Sequence, residues 1–460
     1  MITAFMTHMR FARALKSRPY ALVWIGQSLS GLGDGIFYIA LAWQVLLMTH
    51  SGTAMGLVLV ASTIPRLVFL LIGGVMADRL PRRMIILWSD GGRGVVVLLI
   101  SILGFAGLLQ FWHLLIESLI FGLVDGFFTP AVLAITPDLV EKDDLPSANA
   151  LVSVSQTLTQ LIGPVLGAGL IALISPMGVF ALNGLSFLLS VAFLLSVQIP
   201  ERHVQSNPWQ VSTPEGERVP VASGDSAIEK DAEEESIASW NWQEVGKAEE
   251  QRRGIAGVIV DVREGLLYIR SSRWLWVSIL CLSVGSIGMA GSITVAMPKL
   301  IHDVYGQGAW LFGLISSTGA VGSLLGLGLV GQTKRLKKRG LISYLSLIPA
   351  GAGIVLFGLP WSHTAFLVAG PVASAMFGFS GAFFNTNWFT MLQEMVPGDK
   401  LGRVISLTML GSLTSIPVSQ ALGGVLTDRL GPAMVFILGG VLALSTNFLP
   451  LLVRDVREMK

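Results

Sequence analysis

The 460-residue sequence predicts an all-α membrane protein: twelve transmembrane helices in two pseudo-symmetric six-helix bundles. Three observations predict it. The first is composition, with 52% of residues hydrophobic, 13% charged and a mean hydropathy of +0.69, more apolar surface than a water-soluble fold can hide. The second is the length of the apolar runs. Crossing a bilayer core of about 30 Å takes roughly 20 apolar residues in a helix, and twelve such runs can be traced. The third is an internal repeat. Phe121-Gly122 and Phe127-Phe128 return as Phe377-Gly378 and Phe383-Phe384, an offset of 256 residues (377 less 121). The same offset pairs Val140 with Val396, Leu145 with Leu401, Leu151 with Leu407 and Gly167 with Gly423 without a gap. Related halves in a membrane protein enclose a site near the bilayer midplane that each side reaches in turn.

Taken in order, residues 1–198 form the first bundle, with spans over 20–48, 53–76, 84–109, 112–135, 148–174 and 178–197. Residues 199–253, rich in Glu, Ser, Pro and Gly, predict a disordered acidic cytoplasmic linker. Over 254–273 apolar residues alternate with Asp261, Arg263 and Glu264 at helical spacing, which predicts an amphipathic helix lying on the membrane surface. Residues 274–460 form the second bundle, with spans over 274–297, 310–330, 341–359, 365–392, 404–426 and 432–452.

Orientation follows from the bases in the short loops. Arg10, Arg13, Lys16 and Arg18 precede the first span; Arg79, Arg82 and Arg83 follow the second; Lys334, Arg335, Lys337, Lys338 and Arg339 follow the eighth; Arg454, Arg457 and Lys460 close the chain. The opposite loops hold only Lys299 and Arg429, so both termini are expected in the cytoplasm, with the protein in the cytoplasmic (inner) membrane. No cleavable leader is expected, because the first apolar run is long, follows a basic segment and lacks a small-residue cleavage pattern.

Other function classes find little support. The lone Cys281 excludes an intrachain disulfide and a multi-cysteine metal site. Gly326, Gly328 and Gly331 have dinucleotide-binding spacing, yet no strand precedes them, and close helix packing accounts for them. Neither H-E-x-x-H nor a nucleotide-binding loop occurs, and no basic face suits nucleic acid. An enzyme, a cofactor and a metal are therefore not expected, and ion gradients replace ATP as the energy source.

Charges inside apolar runs are expensive in lipid and point to mechanism. Asp34, Arg66 and Asp125 fall deep in their spans, Asp90 and Arg93 nearer the cytoplasmic end, and Glu117 toward an outer rim. The second half offers neutral groups instead, Asn385, Asn387, Gln420 and Asn447. A carboxyl group in a dry cavity favours its neutral form and rehydration restores the charge, so such a group can load and unload a proton. The expected proton-coupling set is Asp34 as principal carrier, Arg66 as its charge partner, Asp125 as a second acid, and Asp90 with Arg93. Two alternatives stay open. Asp34 could instead hydrogen-bond Gln27, Ser28 or backbone, and Asp90 and Arg93, three apart on one helix face, could simply pair with each other.

Gly74-Val-Met-Ala-Asp78-Arg79-Leu-Pro81-Arg82-Arg83 resembles the G-x-x-x-D-R-x-G-R-R signature of the major facilitator superfamily, with Pro81 where the pattern has glycine; its repeat copy carries Arg335 in place of the acid. Gly33-Asp34, Pro65, Asp90, Arg93, Phe127-Phe128 with Pro130, Pro137-Asp138, Ala148 to Leu151 and Gly163-Pro164-x-x-Gly167 are similar to the macrolide-efflux and enterobactin-exporter branch of its drug:proton antiporters. The resemblance covers nearly all of the chain outside the linker. It implies the major-facilitator fold, a gating latch of Gly74, Asp78, Arg79, Arg82 and Arg83, and an antiporter motif of Gly163, Pro164 and Gly167 acting as a hinge or close-packed seam. Three departures matter: Ala168 stands where the antiporter motif ends in glycine, Thr159 and Ala150 occupy upstream glycine positions, and span four has no arginine, so the proton relay of that branch does not carry over whole.

The resemblance also implies that spans one, four and ten line the cavity. Phe37, Tyr38, Phe127, Phe128, Phe383, Phe384, Asn387 and Trp388 then form the expected surface for bulky apolar or cationic molecules. The repeat-paired phenylalanines could equally be packing residues. The expected function is a monomeric, proton-coupled secondary transporter that exports amphipathic organic molecules such as macrolides by alternating access, its partners being the lipid bilayer, protons and the small substrate. A siderophore or lysophospholipid exporter or flippase is the alternative within transport. A transport-dead membrane sensor or scaffold is the alternative outside it.

Overall fold

A computed structural model describes residues 10–197, 255–332 and 338–457; for 10–12, 71–79, 142, 255–262, 331–332 and 399 it describes the backbone alone. The linker 199–253 lies outside the described residues. The chain divides into two units, Met1–Ile199 with Ser272–Lys460, and Pro200–Ser271. In the second unit a helix runs over Ile255–Ser271.

Among the described residues every element is helical. Eleven helices are long and apolar enough to cross a membrane, and one of them, Leu145–Leu195, is long enough for two crossings. It breaks at Ser175, whose left-handed φ of 67° directly precedes Pro176. Counting its arms separately, the spans are α1 (Arg18–Thr49), α2 (Gly52–Arg79), α3 (Arg82–Phe105), α4 (Phe111–Leu139), α5 (145–174), α6 (176–195), α7 (Arg273–Val304), α8 (Ala309–Gln332), α9 (Arg339–Gly358), α10 (His363–Met395), α11 (Gly398–Leu430) and α12 (Pro432–Leu452). Side chains such as Leu173, Trp88 and Val368 stand 80%, 75% and 67% exposed, the outward-facing apolar surface of a protein solvated by lipid.

Local chemistry sets the helix ends. Ser17 caps α1, its hydroxyl oxygen accepting from Tyr20 N at 3.4 Å while donating to Leu139 O at 2.7 Å, so one residue starts α1 and ties it to the end of α4. His50, in the left-handed conformation, ends α1, and only Ser51 separates it from α2. Both α4 and α11 run about a turn beyond their apolar segments, because backbone hydrogen bonding continues where polar side chains begin. α9 is interrupted before Pro349. α7 widens into π-helix over Ser292–Ala296 and Leu300–Val304, a distortion frequent at functional sites.

In the first half α1 packs on α5 and α6, α2 on α4, and α3 on α4 and α6; in the second, α7 packs on α11 and α12, α8 on α10, and α9 on α10 and α12. The halves meet along α2–α11 and α5–α8. The repeat offset reappears in these contacts. A Cβ on Gly163 or Gly167 would come within 3.2 and 2.9 Å of the α1 backbone at Gly35 and Ile36. Shifted by 256, the same positions are Ser419 and Gly423 of α11 and Gly291 of α7: Gly291 N donates to Ser419 Oγ at 2.6 Å, and a Cβ on Gly423 would lie 2.9 Å from Gly291 Cα.

At the end that carries His50, a carboxylate from one half closes on a helix start from the other. Asp428, in the last turn of α11, accepts from Ser51 Oγ at 2.7 Å, Gly52 N at 2.6 Å and Thr53 N at 2.8 Å. The first amides of α2 have no partner within their own helix, and the helix dipole favours negative charge there. Lys299 donates to the His50 carbonyl and lies 3.4 Å from Asp303 and 3.6 Å from Asp428. Further along the seams Thr63 Oγ1 donates to Gln420 Oε1 at 3.1 Å, and Ser317 Oγ to Leu161 O at 2.7 Å.

Candidate functional site

Asp90 and Arg93 lie inward on α3, 0% and 3% exposed. Asp90 is fully partnered: Arg93 Nη2 donates to it at 2.6 Å, Gln27 Nε2 at 2.9 Å and Ser190 Oγ at 2.8 Å. Three donors, one of them a guanidinium, offset the desolvation of this buried group. Arg93 reaches beyond it. Its Nη1 stands 3.7 Å from Asp34 Oδ2, and its guanidinium lies over the rings of Phe128 and Phe187 at 4.1 and 4.5 Å.

Asp34 is the open member of this cluster, 40% exposed. Asn183 Nδ2 donates to its other oxygen at a long 3.4 Å. Gly33 makes room for that partner, since a Cβ there would collide with Asn183 Oδ1 and Ser186 Oγ. The expected charge partner of Asp34 needs correction. Arg66 pairs with Asp125 at 2.9 Å, because α2 packs on α4, and Arg93 takes the place beside Asp34. Gln27 and Ser28 are engaged elsewhere as well, with Asp90 and with Ser155 at 2.9 Å. Glu117, expected at a rim, is 1% exposed.

A cavity of about 260 Å³ begins one residue along α1 from Asp34, lined from α1 by Gly35, Tyr38 and Ile39, from α5 by Thr159, Gln160 and Pro164, from α7 by Ile293 and Thr294, and from α8 by Phe312 and Ser316. No acid or base lines it. Its polar side chains are four hydroxyls and one amide, and those of Thr294 and Ser316 donate to Ala290 O and Phe312 O of their own helices, leaving their oxygens free to accept. The π-helical turn of α7 presents Ile293 and Thr294 to it. Pro164 of the expected antiporter motif lines it too, while Gly163 and Gly167 form the seam with α1 immediately after Asp34.

Of the expected binding surface, Tyr38 lines this cavity, 40% exposed. The others are packed between helices. Phe37 stacks on Phe121 and meets Phe180 at a tilt, Phe127 meets Phe69, and Phe128 lies under Arg93. Phe383 and Phe384 are buried, Phe384 between Tyr344 and Trp388, and Trp388 also touches Trp274. Asn387 donates to Phe383 O at 2.9 Å, so its amide serves its own helix. Aromatic side chains in apolar helices fill whichever neighbour is nearest, and here that neighbour is protein. Thr159 was visible in the sequence as a departure from the glycine pattern of the antiporter motif. Thr294 and Ser316 carried no such signal.

In the expected gating latch, the side chains of Gly74, Asp78 and Arg79 lie outside the described residues, as do 331–337 of its repeat copy. Arg82 pairs with Asp138 at 2.7 Å and donates to Ala134 O at 2.8 Å. Arg83 donates to Leu194 O and Leu195 O, both at 3.1 Å, capping α6. Arg339 at the start of α9 pairs with Glu394.

Comparison with known proteins agrees with this layout. Macrolide efflux protein A of Streptococcus pyogenes is 22% identical over 441 residues, covering 95% of this chain and 96% of the relative. Enterobactin exporter EntS of Escherichia coli O1:K1 / APEC is 26% identical over 427 residues, covering 91% and 88%. Among solved structures, a bacterial homologue of the iron transporter ferroportin in an inward-facing state aligns with a TM-score of 0.63 at 16% identity over 94% of this chain and 98% of the other. The nucleoside transporter NupG aligns with a TM-score of 0.65 at 11% identity over 94% and 99%. Such low identity speaks to fold alone. Residues 23–416 match the sequence pattern of one family across both halves and the seams between them, and this multi-pass membrane transporter belongs to the Major Facilitator Superfamily.

Proposed function

We propose that the protein is a proton-coupled exporter of amphipathic organic molecules of the macrolide kind, seated in the cytoplasmic membrane with both termini inside. One observation carries this reading. Asp34, a partly open carboxylate within a membrane helix, directly precedes Gly35, which lines the cavity and packs on the antiporter-motif glycine Gly163. Proton and substrate thus meet the same stretch of α1. Ionised, Asp34 is drawn to Arg93; protonated, it loses that attraction, and the contact between α1 and α3 loosens. A ligand can bias alternating access only through such a difference between states.

Closure by Asp428 at the His50 end defines the conformer sealed toward the outside, in which the cavity loads from the cytoplasm. Proteoliposomes with an imposed pH gradient test the assignment, with erythromycin as probe. Asp34→Asn is expected to abolish gradient-driven uptake while preserving erythromycin exchange without a gradient. Gradient-driven uptake at the wild-type rate in that variant rules out Asp34 as the carrier. The likeness to an enterobactin exporter makes a siderophore the second substrate class, and iron-free enterobactin in a parallel arm decides between them.

A further inference from the structure

Two carboxyl groups among the described residues are buried to 1% exposure or less, Asp90 and Glu117. They are built differently. Asp90 has three donors, one of them a guanidinium. Glu117 has one, the Ser118 hydroxyl at 3.1 Å to Oε2, while its Oε1 is buried without a partner. A permanent charge could not be kept there without donors or a counter-ion. A carboxylic acid could, and its O–H supplies the proton that such a site exchanges.

The position of Glu117 gives that proton a destination. On α4, Glu117 lies one turn from Phe121, and on α1 Asp34 lies one turn from Phe37. The two rings stack, 5.5 Å between centroids at 23°. Phe180 closes on Phe37 at 4.8 Å and Phe187 meets Phe121 edge-on at 6.0 Å; Phe180 and Phe187 are fully buried. The two helices run in opposite directions, so Asp34 and Glu117 stand on opposite sides of this ring layer, separated along the bundle by roughly 10 Å at about 1.5 Å per residue. On the Asp34 side are Arg93 and Asp90 from α3, and the Arg66–Asp125 pair joins α2 to α4 two turns from Glu117. Toward the His50 end, His113 shares a face of α4 with Glu117 four residues away.

Building on the exporter reading, we infer that Glu117 is a second proton-binding site, reached from the outer side and separated from Asp34 by the Phe37–Phe121 ring layer. When the rings part, water enters between the carboxyl groups: the O–H bond at Glu117 Oε1 breaks as a water molecule takes the proton, that water chain delivers a proton to form an O–H bond at the ionised Asp34 Oδ2, and the Glu117 carboxylate regains a proton from the outer solution along the His113 face. With the rings stacked, no proton crosses. The layer prevents a leak between turnovers.

The test needs no substrate, so its outcome is separable from that of the transport assay. Infrared spectra of the full chain in proteoliposomes report the carbonyl stretch of protonated carboxyl groups and its shift in heavy water. Wild type and Asp34→Asn are expected to share one slowly exchanging band that Glu117→Gln lacks, and Phe121→Ala is expected to speed its exchange. A Glu117→Gln spectrum with every wild-type band overturns the inference. So does a Glu117 band whose exchange is already immediate in wild type and unchanged by Phe121→Ala. Should Glu117→Gln fail to fold, Glu117→Asp serves in its place, with a displaced band expected and an unmoved one fatal.

Discussion

Gly52 N donates a 2.6 Å hydrogen bond to Asp428, joining the first turn of α2 to the last turn of α11 across 376 residues. With Ser51 and Thr53 it places three donors on one carboxylate at the junction of the halves. The contact at this end therefore includes a charge docked at a helix start, and parting α2 from α11 there would rehydrate that charge.

Asp428→Ala should shift the protein toward the conformer open at this end. Loss of these charge-assisted bonds, discounted for partial exposure, is worth about 2 kcal/mol, or roughly a thirty-fold change in the ratio of conformers. Spin labels at the exposed Leu57 and Leu430, in a Cys281→Ser background, should report a longer distance population. An unaltered distribution counts against the latch.

The two arginine pairs should differ sharply in consequence. Arg93→Gln leaves Asp90 buried without its cation and is expected to cost about 3–5 kcal/mol, part of it recovered in Asp90→Asn with Arg93→Gln. Arg66→Gln touches a pair 56% and 26% exposed and should stay within about 1 kcal/mol. Thermal unfolding in detergent ranks the three, and equal losses would contradict the structural role given to Asp90.

Substrate and packing residues can be separated in the same way. Thr159→Trp or Ser316→Phe fills the cavity and should remove export while leaving stability near wild type. Phe384→Ala, at a buried ring stacked on Trp388, should instead cost about 3–5 kcal/mol. Drug susceptibility in an efflux-deficient host, normalised to folded protein, distinguishes them; normal efflux by Thr159→Trp would displace the binding site.

The repeat makes a paired prediction. Gly167→Val and Gly423→Val should each destabilise by about 1–3 kcal/mol through overpacking at equivalent seams. Gly169→Val, where a Cβ meets nothing within 4 Å, should be nearly silent. Melting temperatures of the three variants check the equivalence, and a harmless Gly423→Val would break it.

Much of the fold was legible because its signals are local or periodic. Long apolar runs mark the spans, loop bases mark the ends, and the 256-residue offset relates seams that the structure then shows to be equivalent. The partner of Asp34 was not legible, since Arg66 and Arg93 both interrupt apolar runs and only the neighbourhood of α1 and α3 decides between them. Glu117 misled for a related reason. Distance from a span's end measures depth in the bilayer, whereas its burial comes from the helices packed around it. Most of the aromatic set packs on neighbouring helices in this structure, and the sequence left binding and packing open because ring identity does not tell lipid, cavity and neighbouring helix apart. Asp428 sat unremarked beside Arg429, its meaning dependent on a helix start 376 residues away.

The contact of Gly163 and Gly167 with Gly35 and Ile36 has a mechanical corollary. On the proposed function α1 works as a lever whose fulcrum sits one residue past the acid, so a tilt of α5 against α8 torques the carboxylate and a swing of α1 reshapes the cavity. Coupling of proton to substrate then needs no dedicated messenger between them. Slippage would arise wherever that glycine fulcrum is padded apart.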